Sequence, residues 1–233
     1  YLPDGERALS CSADVTLILW DIGKRTPVYR MDARGGEEGI WSIAISPDGR
    51  TALSDSAEAS MILWELETGK EIRRFVREDY PWMSGASGIA FLPDGLSAIS
   101  AEKDGSLIQW DIETAQPIRH FGQHTSLRTR VVIAPDGKLA VSAGMDGSLM
   151  FWDLETAELI RHTDGHAYIF ELTMIPEGDS VNIGSSDGSI TQWRQSNPTI
   201  SELSEWITGN RYLRELTCKE REIYSIEPLC ESQ

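Results

Sequence analysis

Cysteine is scarce in this chain. Cys11, Cys218 and Cys230 are the three among 233 residues. The number is odd and no two are spaced C-x-x-C, which argues against a disulfide framework or a thiolate zinc site. A reduced, cytoplasmic setting is the simpler expectation. Long apolar runs are also lacking. No stretch approaches the roughly 18 consecutive apolar residues of a membrane-spanning helix. The opening YLPDGERALS has neither the charged start nor the apolar run of a secretory signal. Positive charge is short as well: 21 Lys and Arg face 37 Asp and Glu, for a formal net charge of −16. Such a surface repels a phosphate backbone, so neither nucleic acid nor membrane is the expected partner.

What is present is repetition. Trp20, Trp64, Trp110, Trp152 and Trp193 follow one another at intervals of 44, 46, 42 and 41 residues. LPDG, SPDG, LPDG, APDG and IPEG begin at residues 2, 46, 92, 134 and 175, and their prolines keep the same 44, 46, 42 and 41 spacing. Two separate markers with identical drift define a true repeat.

Each unit has one grammar, clearest in the fourth. TRVVIA is a β-branched run, PDGK a turn, LAVSAG a second run, MDGS a turn, LMFWD a third run, and LETAE a turn before LIRH. Runs of this length punctuated by Gly and Pro read as short antiparallel strands, four per unit. The third run is apolar on both parities at Leu149, Met150, Phe151 and Trp152. A strand of that kind is covered on both faces, as when four-stranded sheets stack radially. The expected architecture is all-β: propeller blades in about five units, near 1–31, 32–75, 76–121, 122–162 and 163–195.

These residues resemble the WD40-repeat family. The Trp-Asp pair of that family stands at Trp20-Asp21, Trp110-Asp111 and Trp152-Asp153, and is altered to Trp64-Glu65 and Trp193-Arg194. The likeness covers roughly residues 1–195. It implies a structural network of His, Ser or Thr, Asp and Trp within a blade. The fourth unit matches all of it with His124, Ser142, Asp146 and Trp152. The third has Ser100, Asp104 and Trp110, with Trp82 where the His is expected. The second has Ser54 and Trp64, with Glu58 and Gly36 in place of Asp and His. The fifth keeps Asp187 and Trp193, has Ile183 for Ser, and shifts His166 by one place. The first keeps Ser10, Asp14 and Trp20. In physical terms, a buried indole needs one partner for its N–H, and an Asp before a Gly-Ser turn accepts local hydrogen bonds.

The two ends differ. Units two to five each have an inner run before the PDG turn, whereas the first has only Tyr1 and Leu2 there. The expectation is an incomplete first blade, belonging to a longer chain or completed by another copy through its open edge. After Trp193 the alternation stops. Thr199 and Glu202, then Thr217 and Glu220, have capping-box spacing, and Gly209 can end the first helix. Residues 196–233 are expected to be a short helical tail packed on the last blade. RELTCKERE, residues 214–222, resembles the tails of large bacterial WD40 proteins that join a STAND-type NTPase or a kinase to the repeats.

Other motifs carry less. His120 and His124, and His162 and His166, are both H-x-x-x-H, but 42 residues separate the two pairs, which is the repeat itself. No metal and no cofactor is expected. Glu37-Glu38 and Glu78-Asp79 read as solvated loops. GASG and RGGEEG lack the Lys-Ser/Thr of a phosphate loop. No serine has a nucleophile frame and Cys218 has no His nearby in sequence, so catalysis is not expected.

The expected function is therefore protein interaction, sensing or scaffolding. The partner is a protein ligand or another domain of a longer chain, with self-association as the alternative. The inner runs begin near Trp41, Ser87, Thr129 and Phe170, each six residues before its turn proline. A structural position should be filled alike in every unit, and these differ. Trp41, Trp82, Lys103, Met145 and Phe170 are therefore the expected partner-binding residues, at the mouth of a central channel.

Overall fold

The computed structural model of the chain describes residues 1–33, 39–56, 61–77, 85–126, 128–165 and 167–194. Tyr1–Arg194 form one unit; the second, Gln195–Gln233, lies outside the described residues, and so do the expected tail helices. The described residues are all-β, with eighteen strands in five antiparallel sheets. None of them forms a helix long and apolar enough to cross a membrane.

The first sheet holds β1 (Arg7–Cys11), β2 (Thr16–Asp21) and β3 (Thr26–Asp32). The second holds β4 (Ile43–Ile45), β5 (Thr51–Asp55), β6 (Met61–Glu65) and β7 (Lys70–Phe75). The third holds β8 (Ala86–Phe91), β9 (Ser97–Glu102), β10 (Ser106–Asp111) and β11 (Pro117–Gln123). The fourth holds β12 (Thr129–Ile133), β13 (Leu139–Gly144), β14 (Leu149–Asp153) and β15 (Leu159–Thr163). The fifth holds β16 (Ile169–Met174), β17 (Ser180–Ser185) and β18 (Ile190–Arg194). In every sheet the strands pair in chain order.

The PDG turns recur because each residue in them has a task. Gly49 N–H donates to Ser46 O at 2.9 Å, closing a four-residue turn, and the same bond recurs from Gly95 to Leu92 and from Gly137 to Ala134. Proline fixes the first bend. The Asp48 carboxylate accepts the Arg50 N–H at 3.0 Å. Gly49 has φ of 70°, and a Cβ there would stand 3.0 Å from the Cδ of Pro3 in the preceding turn. Both facts demand glycine. Successive turns thus lie in a row, glycine over proline.

Four hydrophobic clusters hold the sheets together, one at each junction. Leu9, Leu17 and Leu19 of the first sheet meet Ala52, Ile62 and Trp64 of the second. Leu53, Leu63 and Phe75 meet Ile89, Ile108 and Trp110 of the third. Ile99 and Leu107 meet Val131, Met150 and Trp152 of the fourth. Val141, Leu149 and Phe151 meet Ile169, Leu172 and Ile183 of the fifth, with Trp193 against them. The registered tryptophan of each sheet therefore sits at the junction with the sheet before it. Phe75 and Trp110 meet edge to face with ring centres 5.9 Å apart, and Phe121 and Trp152 do so at 6.1 Å. Trp20, in the first sheet, is only half-buried. A buried tryptophan removes roughly 200 Å² from water, or on the order of 5 kcal/mol before the entropy of ordering is counted.

The connections alternate between two ends of the sheets. PDG turns and the turns after Trp-Asp occupy one end. The inner strands β4, β8, β12 and β16 begin at the other, which also carries the turns at Lys103, Met145 and Ser186. This second end is called the upper end below.

Candidate interaction site

The fourth sheet explains what the four network residues do. The Trp152 indole N–H donates to Ser142 Oγ at 2.8 Å. Ser142 Oγ lies 2.7 Å from His124 Nε2, and His124 Nδ1 lies 2.8 Å from Ser148 Oγ. The Ser148 hydroxyl donates to Asp146 Oδ1 at 2.7 Å. One proton arrangement satisfies every group: Ser142 donates to Nε2, and Nδ1–H donates to Ser148. The relay ends on a carboxylate that also accepts the Ser148 N–H at 3.1 Å and the Thr125 N–H at 2.9 Å. Burial pushes the His124 imidazole below its ordinary value, which keeps it neutral. Burial alone would raise Asp146, but the Ser148 hydroxyl and amide, the imidazole and the Thr125 N–H bring it down to about 2. Every partner is taken up in holding the turn. The Asp153 carboxylate is occupied likewise by the Glu155 and Thr156 N–H groups, at 2.9 and 2.8 Å.

The indole-to-serine bond recurs at ten residues' separation from Trp20 to Ser10, Trp64 to Ser54 and Trp110 to Ser100, at 2.8–2.9 Å. The third sheet varies the rest. Ser100 donates to the wholly buried Glu102 carboxylate, and Arg77 donates to Asp104 at 2.8 Å and to Ser106 at 3.1 Å. Glu102 has the register of Gly144 in the fourth sheet, where a Cβ would stand 3.1 Å from His124 Nδ1. A glutamate thus fills the space that the imidazole fills one sheet later. Sequence reasoning looked for the His counterpart at Trp82, which lies outside the described residues.

Residues 115–153 match the family model of the WD domain, G-beta repeat. The chain carries a WD40 repeat. The match runs from the outer end of the third sheet into β14, so the WD40 sequence unit straddles two sheets and includes all four network residues. No curated protein matches the chain. A WD40 repeat supports a protein-interaction domain in general.

At the upper end, Trp41 and Phe170 are 56% and 52% exposed. Ser87 and Thr129, which share their register, are buried at 7% and 0%. These two positions are filled for packing: Thr129 N–H donates to Ser87 Oγ at 2.9 Å, and that hydroxyl lies 3.0 Å from Thr129 O. The positions of this register are therefore exposed in the second and fifth sheets and buried in the third and fourth, because those two sheets use theirs to join each other.

Two arginines that sequence reasoning passed over link the rest. The Arg128 guanidinium lies over the Trp41 ring, 5.6 Å from its centroid. Arg128, Arg130, Met145, Ile169 and Phe170 line one small depression. Arg130 donates Nε to Phe170 O at 3.2 Å and Nη1 to Ser87 O, tying three inner strands together. A signal existed. Two arginines flank Thr129 in a strand-forming run, and residues two apart share one side of a strand.

Asp55 is a third residue the repeat should have revealed, since Cys11, Ala101, Ala143 and Gly184 hold its register. It is buried, and its Oδ1 accepts the backbone N–H of Trp41 at 2.8 Å and of Ser42 at 3.0 Å. Burial pushes this carboxyl up to about 6, against the pull of those two amides and of the Lys103 ammonium. Lys103 thereby joins the same end of the fold. Below pH 6 the protonated carboxyl should accept more weakly, and the backbone of Trp41 should loosen. The Trp41 indole NMR signal should therefore titrate with a midpoint near pH 6 and stop doing so in Asp55→Asn. A titration that persists in Asp55→Asn would assign it to another group.

A larger, open depression at the opposite end is lined by Arg7, Arg50, Asp48, Glu65 and Glu67. Its charges alternate in sign and it has no aromatic lining.

Proposed function

We propose that this chain is a non-catalytic protein-interaction and sensor domain whose propeller holds a protein ligand on its upper end. One observation carries the reading. Two large aromatics, Trp41 and Phe170, stand more than half exposed at one end, and Arg128 and its depression connect them. Exposed aromatics and arginine grouped together are what interfaces use as anchors. Their backbones are held in advance: Trp41 by Asp55, and Arg128 by the Met145 N–H that donates to its carbonyl at 3.1 Å. Anchors ordered before binding lose little entropy on binding.

The setting we propose is the C-terminal WD40 region of a larger bacterial signalling protein of the STAND-NTPase kind, working in the cytoplasm. The run RELTCKERE supports this setting. Ligand on the upper end would then be relayed to an upstream effector.

A displayed library of random dodecapeptides, panned on the 233-residue chain, tests the binding reading. Enriched peptides should lose binding to Trp41→Ala and Phe170→Ala, whose melts should match the wild type because both side chains face solvent. Peptides that bind both variants unchanged would remove the upper end as the site.

A further inference from the structure

The chemistry at Arg128 narrows the kind of ligand. We propose that the upper end receives an acidic peptide segment, with a side-chain carboxylate of the ligand held by the Arg128 guanidinium where it lies over Trp41. The proposal rests on the upper-end binding reading and deepens it.

The first ground is how Arg128 is held. Its Cζ lies over the Trp41 ring, 5.6 Å from the centroid. The ring quadrupole attracts the guanidinium, which keeps N–H donors available for a ligand. Those donors form a fork that matches the two oxygens of a carboxylate. The backbone beneath is fixed, since Arg128 O accepts from the Met145 N–H at 3.1 Å and from the Ser126 hydroxyl at 3.3 Å. No carboxylate of the described residues pairs with Arg128. Elsewhere in the same fold, Arg7, Arg30, Arg74 and Arg77 each have one within 3.4 Å.

The second ground is the company Arg128 keeps. Arg130 lines the same depression. Two of its donors go to Ser87 O and Phe170 O, and the Glu171 carboxylate lies 3.8 Å away. Arg130 therefore supplies positive potential, and Arg128 supplies the open donors. Met145 and Phe170 complete the lining with apolar surface. The site suits a carboxylate with an apolar neighbour in the ligand sequence.

The third ground is contrast with the rest of the surface. The net charge of −16 repels an acidic ligand at a distance. Physiological salt screens that repulsion beyond about 8 Å, whereas a carboxylate in direct contact with a guanidinium lies well inside that length. Attraction at this end is thus short-ranged. It selects where a carboxylate seats rather than drawing in any polyanion, and two arginines offer too little to a nucleic-acid backbone.

The peptides enriched from the dodecapeptide library provide the test. Those that need Trp41 should be rich in Asp or Glu beside an apolar residue. By calorimetry, Arg128→Gln should weaken one such peptide roughly tenfold to a hundredfold, the scale of a lost charge-assisted bond. Arg128→Lys keeps the charge without the fork and should fall between the two. Changing the critical Glu of the peptide to Gln should cost a similar factor on wild type and almost nothing more on Arg128→Gln. A melt of Arg128→Gln equal to wild type shows that the fold is intact. Peptides that need Trp41 but ignore Arg128, or that carry no acid, overturn the acidic ligand and leave the upper-end site standing. Peptides indifferent to Trp41 and Phe170, or a library with no binders, overturn both.

Discussion

Trp152→Ala should destabilise the protein by about 3–5 kcal/mol, and Trp152→Phe by about 1–3 kcal/mol. Two separate losses make up the larger figure. Trp152 is 3% exposed and lies in the junction between the third and fourth sheets, with Phe121 edge-on at 6.1 Å. Truncation to alanine empties that space. A methyl at Gly122 on β11 would overlap the Trp152 ring, so the wall at that point has no side chain to fill the void. Phenylalanine fills most of the volume but has no N–H. The Ser142 hydroxyl, wholly buried, would then lose the donor at 2.8 Å while still engaged with His124. Urea unfolding would give the totals. Hydrogen exchange should place the added opening in β11 and β13, since stacked sheets couple to their neighbours. A phenylalanine variant as stable as wild type would show that the indole N–H contributes nothing.

The sequence exposes that junction because two of its residues recur in step. Tryptophan and serine keep a separation of ten in four units, and a buried donor and its acceptor must change together or not at all. The PDG turns were legible for the same reason, since their glycine is set by backbone geometry. Residues that depart from the repeat were harder to read. Glu102 takes over the place of the imidazole from a different strand, so alignment by register alone pointed to Trp82 instead. Arg128 and Arg130 act across sheets, and contacts such as Arg130 to Phe170 O join residues 40 apart that no local period connects. Ser87 and Thr129 differ from Trp41 and Phe170 because sheets three and four bond to each other there. Variation at a fixed register therefore had two causes, and only exposure separates them. The expected packing of residues 196–233 on the last blade falls outside the described residues.

The exchange between His124 and Glu102 predicts a coupling that neither residue alone would show. A Cβ on Gly144 would stand 2.5 Å from Ser126 Oγ, 2.6 Å from Asp146 Oδ1 and 3.1 Å from His124 Nδ1. The last two of these atoms cannot retreat cheaply. Asp146 is held by Ser148 and Thr125, and His124 by Ser142 and Ser148. Gly144→Ala should therefore cost about 2–4 kcal/mol through overpacking and a broken relay. His124→Ala should cost about 2–3 kcal/mol on its own, because the Ser142 and Ser148 hydroxyls lose a buried partner. Together the two changes should cost less than the sum by about 1 kcal/mol or more, since both break the same relay and removing the ring relieves one of the three close contacts. Going further, Gly144→Glu in the His124→Ala background would recreate the third sheet, where Ser100 donates to the Glu102 carboxylate. That double variant should be more stable than His124→Ala alone. The recovery should be lost as pH falls and the new carboxylate protonates, because the acceptor that replaces Nε2 is then a weaker one. Denaturant unfolding of the four proteins at pH 7 measures the coupling. Strict additivity of Gly144→Ala and His124→Ala would show that Gly144 is not kept open for the imidazole.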